Sequence, residues 1–310
     1  LEAVDVCLHN NLHRPATVAA LESGKHVYCE KPIAATYADG AAMVAAARRH
    51  RRMLHVQMGS LFAPATWAAR ALVDAGRLGD VYHGRGYVNL RRSRPFVDGY
   101  GTPAFVQTAQ AGGGALIDWG IYAICPVLHL MGNPAPVRVV GRTYDRLPMD
   151  QGRRTSGGYD VEEMGTGWVA FENGATLDLL AAWALHARRD LGCAVMGTLG
   201  GVELPPLALG RDQGLLKFYH ADGLLDLETE VDAGGGLRRF GLLTGNGFAY
   251  ESPQKHWVAA LRREVPLLPT AELALSMILI AEGLYRSHRE NREIDVSALT
   301  AEHGAPNSPR

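Results

Sequence analysis

From Leu1 to Met58 the sequence alternates strand, helix, strand, helix, strand, and this rhythm restricts the chain to a parallel sheet with helical crossovers. Residues Leu1–Leu8, LEAVDVCL, read as a strand apolar enough to be covered on both faces. A helix over about Pro15–Ser23 follows, with Gly24 placed as its stop. Then come a short strand, His26–Cys29, the turn Glu30-Lys31-Pro32, an alanine-rich helix over Tyr37–His50 and a strand over Met53–Met58. Only three strands can be counted here, whereas a doubly wound sheet has about five or six.

One more helix is expected over 64–76, and after Gly79 the pattern turns β-rich. Strands are expected at Tyr82–Leu90, Val137–Tyr144, Gly167–Phe171, Ala175–Ala182 and Cys193–Met196, with a tight turn at Asn173-Gly174. A long helix over Gly114–Met131 interrupts them, and helices over Tyr250–Arg263 and Ala271–Arg289 close the chain before a polar tail, Ala301–Arg310, expected to be disordered. At 310 residues the chain exceeds the usual size of one core, so two units are expected, residues 1–62 and 63–300, with 301–310 as tail.

Lys plus Arg, 31, nearly balances Asp plus Glu, 32, so no long-range field gathers nucleic acid or an anionic membrane surface, and neither is expected as a partner. Cys7, Cys29, Cys125 and Cys193 stand far apart among apolar residues, without metal-ligand spacing. They read as buried free thiols, with no metal site expected. The most apolar helix expected, around Leu273–Leu284, carries Glu282 and is too short to span a bilayer, and no export signal opens the sequence. A cytoplasmic location is the expectation.

Glu30-Lys31-Pro32 falls where a parallel strand ends, the edge at which open α/β sheets bind ligands. Proline fixes the backbone where a lysine can be aimed into a pocket; a surface lysine paired with Glu30 is the alternative. Farther on, Asp118 and Tyr122 are four residues apart, a spacing that puts both on one helix face, toward one small molecule. A helix-start aspartate and a core tyrosine are the plainer readings.

Two segments together carry a resemblance. Val4–Lys31, with Asn10-Asn11-Leu12-His13 after one strand and Gly24-Lys25-His26-Val27-Tyr28-Cys29-Glu30-Lys31-Pro32 at the next, resembles the Gfo/Idh/MocA oxidoreductase family. So does Gly112-Gly113-Gly114-Ala115-Leu116-Ile117-Asp118-Trp119-Gly120-Ile121-Tyr122. The resemblance implies an α/β fold, a partial Rossmann-type parallel-sheet domain followed by an α/β domain with a large, mostly antiparallel sheet. It implies NAD or NADP as cofactor, a sugar, inositol or related polyol or ketone as substrate, and a homodimer or homotetramer formed through the open sheet, where Trp168 and Trp183 could contribute. Lys31 would be the catalytic lysine, Asn10, His13, Glu30, Lys31 and Pro32 would line the cofactor side, and Asp118 and Tyr122 would reach in from the second domain.

Many family members have histidine where this chain has Tyr122; members resembling glucose-fructose oxidoreductase and dihydrodiol dehydrogenase have tyrosine. Bringing a phenol from ~10 toward ~7 needs roughly 4 kcal/mol of preference for the phenolate. One ammonium about 4 Å away at an effective dielectric of about 20 supplies that order, and Lys31 is the natural source. Tyr122 would then exchange the substrate hydroxyl proton while hydride passes to or from nicotinamide, Lys31 holding the oxygen and Asp118 orienting a neighbouring hydroxyl. His9, where the family commonly has proline, could reach cofactor or substrate or be a loop substitution. Arg94, in the loop Arg91-Arg92-Ser93-Arg94-Pro95-Phe96-Val97-Asp98-Gly99-Tyr100, is a substrate candidate, while Arg91 and Arg92 read slightly better as solvated charges.

No GxGxxG fingerprint follows a strand near Leu1, and Gly112–Gly114 and Gly234–Gly236 lie in the β-rich half. Against the family pattern Leu1 falls midway through the nucleotide domain, so on the order of 65 residues are expected to be missing, and with them the residue that chooses between NAD and NADP. A non-catalytic cofactor- or sugar-binding protein on the same fold is the rival reading.

Overall fold

The computed structural model describes residues 1–189, 192–205 and 216–302. Strands β1 (Ala3–Val6), β2 (His26–Cys29) and β3 (Leu54–Val56) form a parallel three-stranded sheet in the order β1-β2-β3. Helices α1 (Asn10–Glu22) and α2 (Tyr37–His50) make the crossovers. The start of α2 is capped by Thr36, whose hydroxyl accepts from Asp39 N, and Asp39 in the first turn complements the helix dipole. Helix α3 (Pro64–Asp74) then leads into the second unit.

There, β4 (Val81–Asn89), β5 (Pro136–Tyr144), β6 (Met164–Phe171), β7 (Thr176–Ala182), β8 (Cys193–Gly197), β9 (Gly200–Leu204), β10 (Leu216–Asp222), β11 (Leu225–Val231) and β12 (Ile294–Asp295) form one nine-stranded sheet. Its order is β11-β10-β9-β8-β4-β7-β6-β5-β12, antiparallel apart from the β4/β7 pair. β6 and β7 meet at the expected turn, where Gly174 has φ +82 and Asn173 Oδ1 accepts from Ala175 N. The remaining helices are α4 (Thr108–Ala111), α5 (Ile121–Leu130), α6 (Gln151–Gly157), α7 (Ala233–Thr244), α8 (Pro253–Leu261), α9 (Thr270–Glu290) and α10 (Val296–Glu302).

One core joins both sheets. Val27, Val56 and Met43 of the first unit belong to the same buried cluster as Ile124, Leu128, Leu177, Ile278 and Leu284. Burying a side chain of this kind stabilises by about 1.5–3 kcal/mol. Polar ties cross the same seam: Thr270 Oγ1 on α9 accepts from Val56 N at 3.0 Å, and Glu282 accepts from Tyr37 N at 3.1 Å.

Several expectations need correction. β1 pairs on one side only, so Ala3 and Val4 are half-buried and Asp5 is exposed. α1 begins at Asn10, because a proline inside the first two turns removes a single i−4 hydrogen bond without ending the helix. Cys7 is exposed, while the other three cysteines are buried and free. The stretch Thr108–Leu130, not Leu273–Leu284, is long and apolar enough to cross a membrane, but 78% of its most apolar window is buried inside the protein. β9, β10, β11 and α7, which takes in Gly234–Gly236, had no expected counterpart. α10 carries the chain to Glu302, and the rest of the expected disordered tail lies outside the described residues.

Candidate functional site

The site begins where β2 ends. Glu30 N donates to Val6 O at 3.0 Å, extending the ladder by one residue, and Lys31 then leaves the sheet at its carboxyl edge through a cis Lys31–Pro32 peptide. The ammonium of Lys31 donates to the backbone carbonyl and to Oδ1 of Asp118, both at 2.9 Å, and lies 4.8 Å from the centroid of the Tyr122 ring. The second carboxylate oxygen of Asp118 accepts from Trp183 Nε1 at 3.0 Å. Thus Lys31 is brought to Asp118, 87 residues further along the chain, and to Tyr122 one helical turn beyond that, with Trp183 completing the group.

Asp118 is held by an irregular helix start. Residues Leu116–Gly120 form a π-helical turn that runs into α5, so the expected straight helix over Gly114–Met131 is interrupted where the chemistry sits. The glycine run before it is a packing requirement. Gly112 has φ +83, and a side chain there would collide with the carbonyl of Ala35; one on Gly114 would collide with the carbonyl of Glu162. Glu162 fastens this segment from beneath, its buried carboxylate accepting from Gly114 N at 2.8 Å, Leu116 N at 2.9 Å and Tyr285 Oη at 2.9 Å. The adjacent Glu163 carbonyl accepts from Trp183 N at 2.8 Å, so one pair of acids fixes both the helix carrying Asp118 and the tryptophan that binds it.

A cleft of about 250 Å³ opens above Lys31, lined by His9, Asn10, Glu30, Lys31, Pro32 and Asp118, with Phe105, Gln110 and Gly113 on the facing wall. His9 is exposed at its rim, edge-on to Phe105 at 6.2 Å between ring centroids. Asn10 Nδ2 donates to Ala111 O at 2.8 Å, tying α1 to α4 across the cleft.

Two assignments are corrected. His13 is fully buried, its ring nitrogens engaged by the carbonyls of Pro32 at 2.9 Å and Leu8 at 3.0 Å; it pins the two loops that line the cleft instead of facing a cofactor. Arg94 is 2% exposed, bound to Asp98, to Glu163 at 3.0 Å and to the carbonyls of Leu147 and Pro148, which leaves it no face for a substrate. Spacing carries no information on burial, so both looked available in the sequence. Trp183, expected on an assembly face, is fully buried against Asp118. Glu162, Tyr285 and Trp183 went unrecognised as site residues; the pair Glu162-Glu163 next to apolar Val161 and Met164 was the available signal.

The electrostatics differ from the simple phenol–ammonium scheme. Burial pushes the Tyr122 hydroxyl up from its ordinary value, Lys31 pulls it back by charge and hydrogen bonding, and Asp118 pushes it up again, so the net direction is upward, not toward neutrality. Burial is the largest cause, and the negative charges of Asp118 and Glu30 add to it against Lys31. For Lys31 itself, burial is the largest single influence and lowers it, yet Asp118, Tyr122 and Glu30 together outweigh burial and hold the ammonium charged. Burial raises the Glu30 carboxyl, with Lys31 opposing.

Residues 1–58 match a family model described as the oxidoreductase family with an NAD-binding Rossmann fold, and residues 66–203 match one described as the GFO/IDH/MocA C-terminal domain. The chain is 31% identical over 220 residues to the D-glucoside 3-dehydrogenase of Escherichia coli (strain K12), an alignment covering 68% of this chain and 61% of that protein. Over 135 residues it is 34% identical to the human trans-1,2-dihydrobenzene-1,2-diol dehydrogenase, covering 43% of this chain and 38% of that one. Both alignments span less than two thirds of the relatives' length. Among solved structures, the aldose-aldose oxidoreductase from Caulobacter crescentus complexed with glycerol is similar, with a TM-score of 0.71 and 26% identity over 95% of this chain and 79% of that one.

Proposed function

The chain belongs to the Gfo/Idh/MocA oxidoreductase family, and from that premise we propose that it serves an NAD(P)-dependent oxidoreduction of a sugar, inositol or related polyol or ketone, with Lys31, Asp118 and Tyr122 as its chemical centre. The observation that carries this is the convergence of a charged ammonium, a carboxylate and a phenol: Lys31 and Asp118 line one cleft at the carboxyl edge of a parallel sheet, and the Tyr122 ring centroid lies 4.8 Å from the ammonium. The cleft suits the nicotinamide end of the cofactor: it is lined by Gly113, which adds no side chain, and by Asn10, Glu30 and Pro32. When bound, that group supplies the hydride acceptor or donor.

The residues of the chain do the rest. Lys31 holds the substrate oxygen by hydrogen bonding and stabilises negative charge on it. In reduction the protonated Tyr122 Oη donates its proton to the developing alkoxide; in oxidation it takes the hydroxyl proton as the phenolate, so that direction requires it first to release its own proton and is expected to quicken at alkaline pH. Asp118 keeps Lys31 charged and fixes its position, and Trp183 in turn fixes Asp118. Because both oxygens of Asp118 have partners, orienting a substrate hydroxyl requires it to exchange or share one of them.

The division near residue 62 is supported by the gap between the two matched ranges, 1–58 and 66–203. A homodimer or homotetramer through the open face of the nine-stranded sheet is supported by its exposed Tyr82, Val140, Tyr144 and Trp168. A cytoplasmic location is supported by four free cysteines, three of them buried. The test of the reading is fluorescence titration of the full-length protein with NADH and NADPH, followed by a screen of aldoses, inositols and deoxysugars. Saturable binding of at least one cofactor and turnover of a polyol or ketose support it; failure of both cofactors to bind removes it.

A further inference from the structure

We propose that the hollow lined by Leu90, Arg91, Arg92, Ser93, His186 and Arg189 binds an anionic group, a phosphate or carboxylate, carried on the substrate. This rests on the oxidoreductase reading and gives its substrate a class: an acidic or phosphorylated sugar derivative.

The hollow has a volume of about 420 Å³, and its lining among the described residues holds three guanidinium groups and no carboxylate. Among the described residues none of the three has a carboxylate partner. The contrast with Arg94, in the same short loop, is direct: Arg94 is buried and paired with Asp98 and Glu163, whereas Arg91 and Arg92 are exposed and turned to the hollow. The whole chain carries a net charge of −1, so this cluster is a local feature and not part of a basic surface. Like charges gathered in one hollow repel each other, and an oxyanion relieves that repulsion while accepting paired hydrogen bonds from planar guanidinium forks.

The frame under the arginines is fixed and adjoins the catalytic centre. Leu90 N donates to Ala182 O and Ser93 N to Trp183 O, both at 2.9 Å, so the loop continues the β4/β7 pairing beyond the strand ends. Trp183 is the partner of Asp118, and His186 follows it by three residues, within about 11 Å along the chain.

Isothermal titration of inorganic phosphate, at ionic strength held constant with chloride, tests the site. The native chain is expected to bind phosphate, Arg91→Ala/Arg92→Ala to bind it at least about tenfold more weakly, and Arg48→Ala, on α2, to match native. A sugar 6-phosphate or a sugar uronate should displace the phosphate, and which of them does identifies the group; the neutral parent sugar should not. Equal phosphate affinity in the native and double-variant chains, no binding at all, or equal displacement by the neutral sugar overturns the proposal. NADH titration of the same proteins keeps the two readings apart, since loss of NADH binding by the native chain bears on the oxidoreductase reading and leaves the phosphate result to decide this one.

Discussion

Lys31 and Asp118 form a pair whose side chains are 14% and 17% exposed, so each depends on the other to remain charged away from water. Asp118→Asn removes the countercharge and is expected to lower the unfolding free energy by roughly 3–5 kcal/mol, measurable by denaturant titration. The pH dependence has a definite sign. Lys31 is raised from 10.5 in the folded protein, so its contribution to stability is complete below that value and is lost as pH climbs through the folded value. Tyr122 is raised from 10.0, so the unfolded chain releases that proton first and stability falls over the same alkaline range. In a tyrosinate difference titration, native minus Tyr122→Phe, the ionisation should therefore appear above pH ~10; a transition near ~7 would contradict the assignment of its surroundings. The sequence announced these three residues through their motifs because each type is needed for proton transfer at a fixed spacing. It misplaced His13, whose ring is taken up by the carbonyls of Leu8 and Pro32, and Arg94, whose burial is decided far along the chain, by the loop at Leu147–Pro148 and by Glu163.

At the scale of the element, the device that matters is the π-helical turn Leu116–Gly120 and the acid beneath it. Three donors converge on the Glu162 carboxylate, and removing it leaves each buried group without an acceptor. Glu162→Ala is expected to destabilise by about 1–3 kcal/mol for each orphaned donor, and Glu162→Gln, which keeps one acceptor oxygen, by less. Thermal unfolding of both variants checks the ranking; equal losses would mean that the retained acceptor oxygen and volume of glutamine count for nothing and that the full carboxylate is required. The existence of this helix was legible from its apolar run. Its π turn was not, since the contacts that fix the segment before it, Gly112 against Ala35 and Gly114 against Glu162, join residues far apart in the sequence. Likewise β1–β3 and β4–β8 follow a clear two-residue or crossover rhythm, whereas β11, with mostly exposed residues alternating acids and aliphatics, offered no buried face to recognise.

Across the whole molecule, the shared core makes the parallel sheet and the nine-stranded sheet one mechanical body, held by α9 at Thr270 and Glu282. The broad order of elements was readable, and the return of α9 to the first sheet was not, because a helix amphipathic on its own does not name its partner. The open sheet face predicts self-association: Trp168→Glu should shift the native oligomer toward monomer in light scattering, and an unchanged mass would show that this face is not the interface. The central claim, that Tyr122 moves the proton at a centre built with Lys31 and Asp118, is tested most directly by measuring kcat and cofactor Kd for Tyr122→Phe beside native protein. Cofactor affinity should be unchanged and kcat lower by about 100- to 10,000-fold; native turnover in the variant would contradict it.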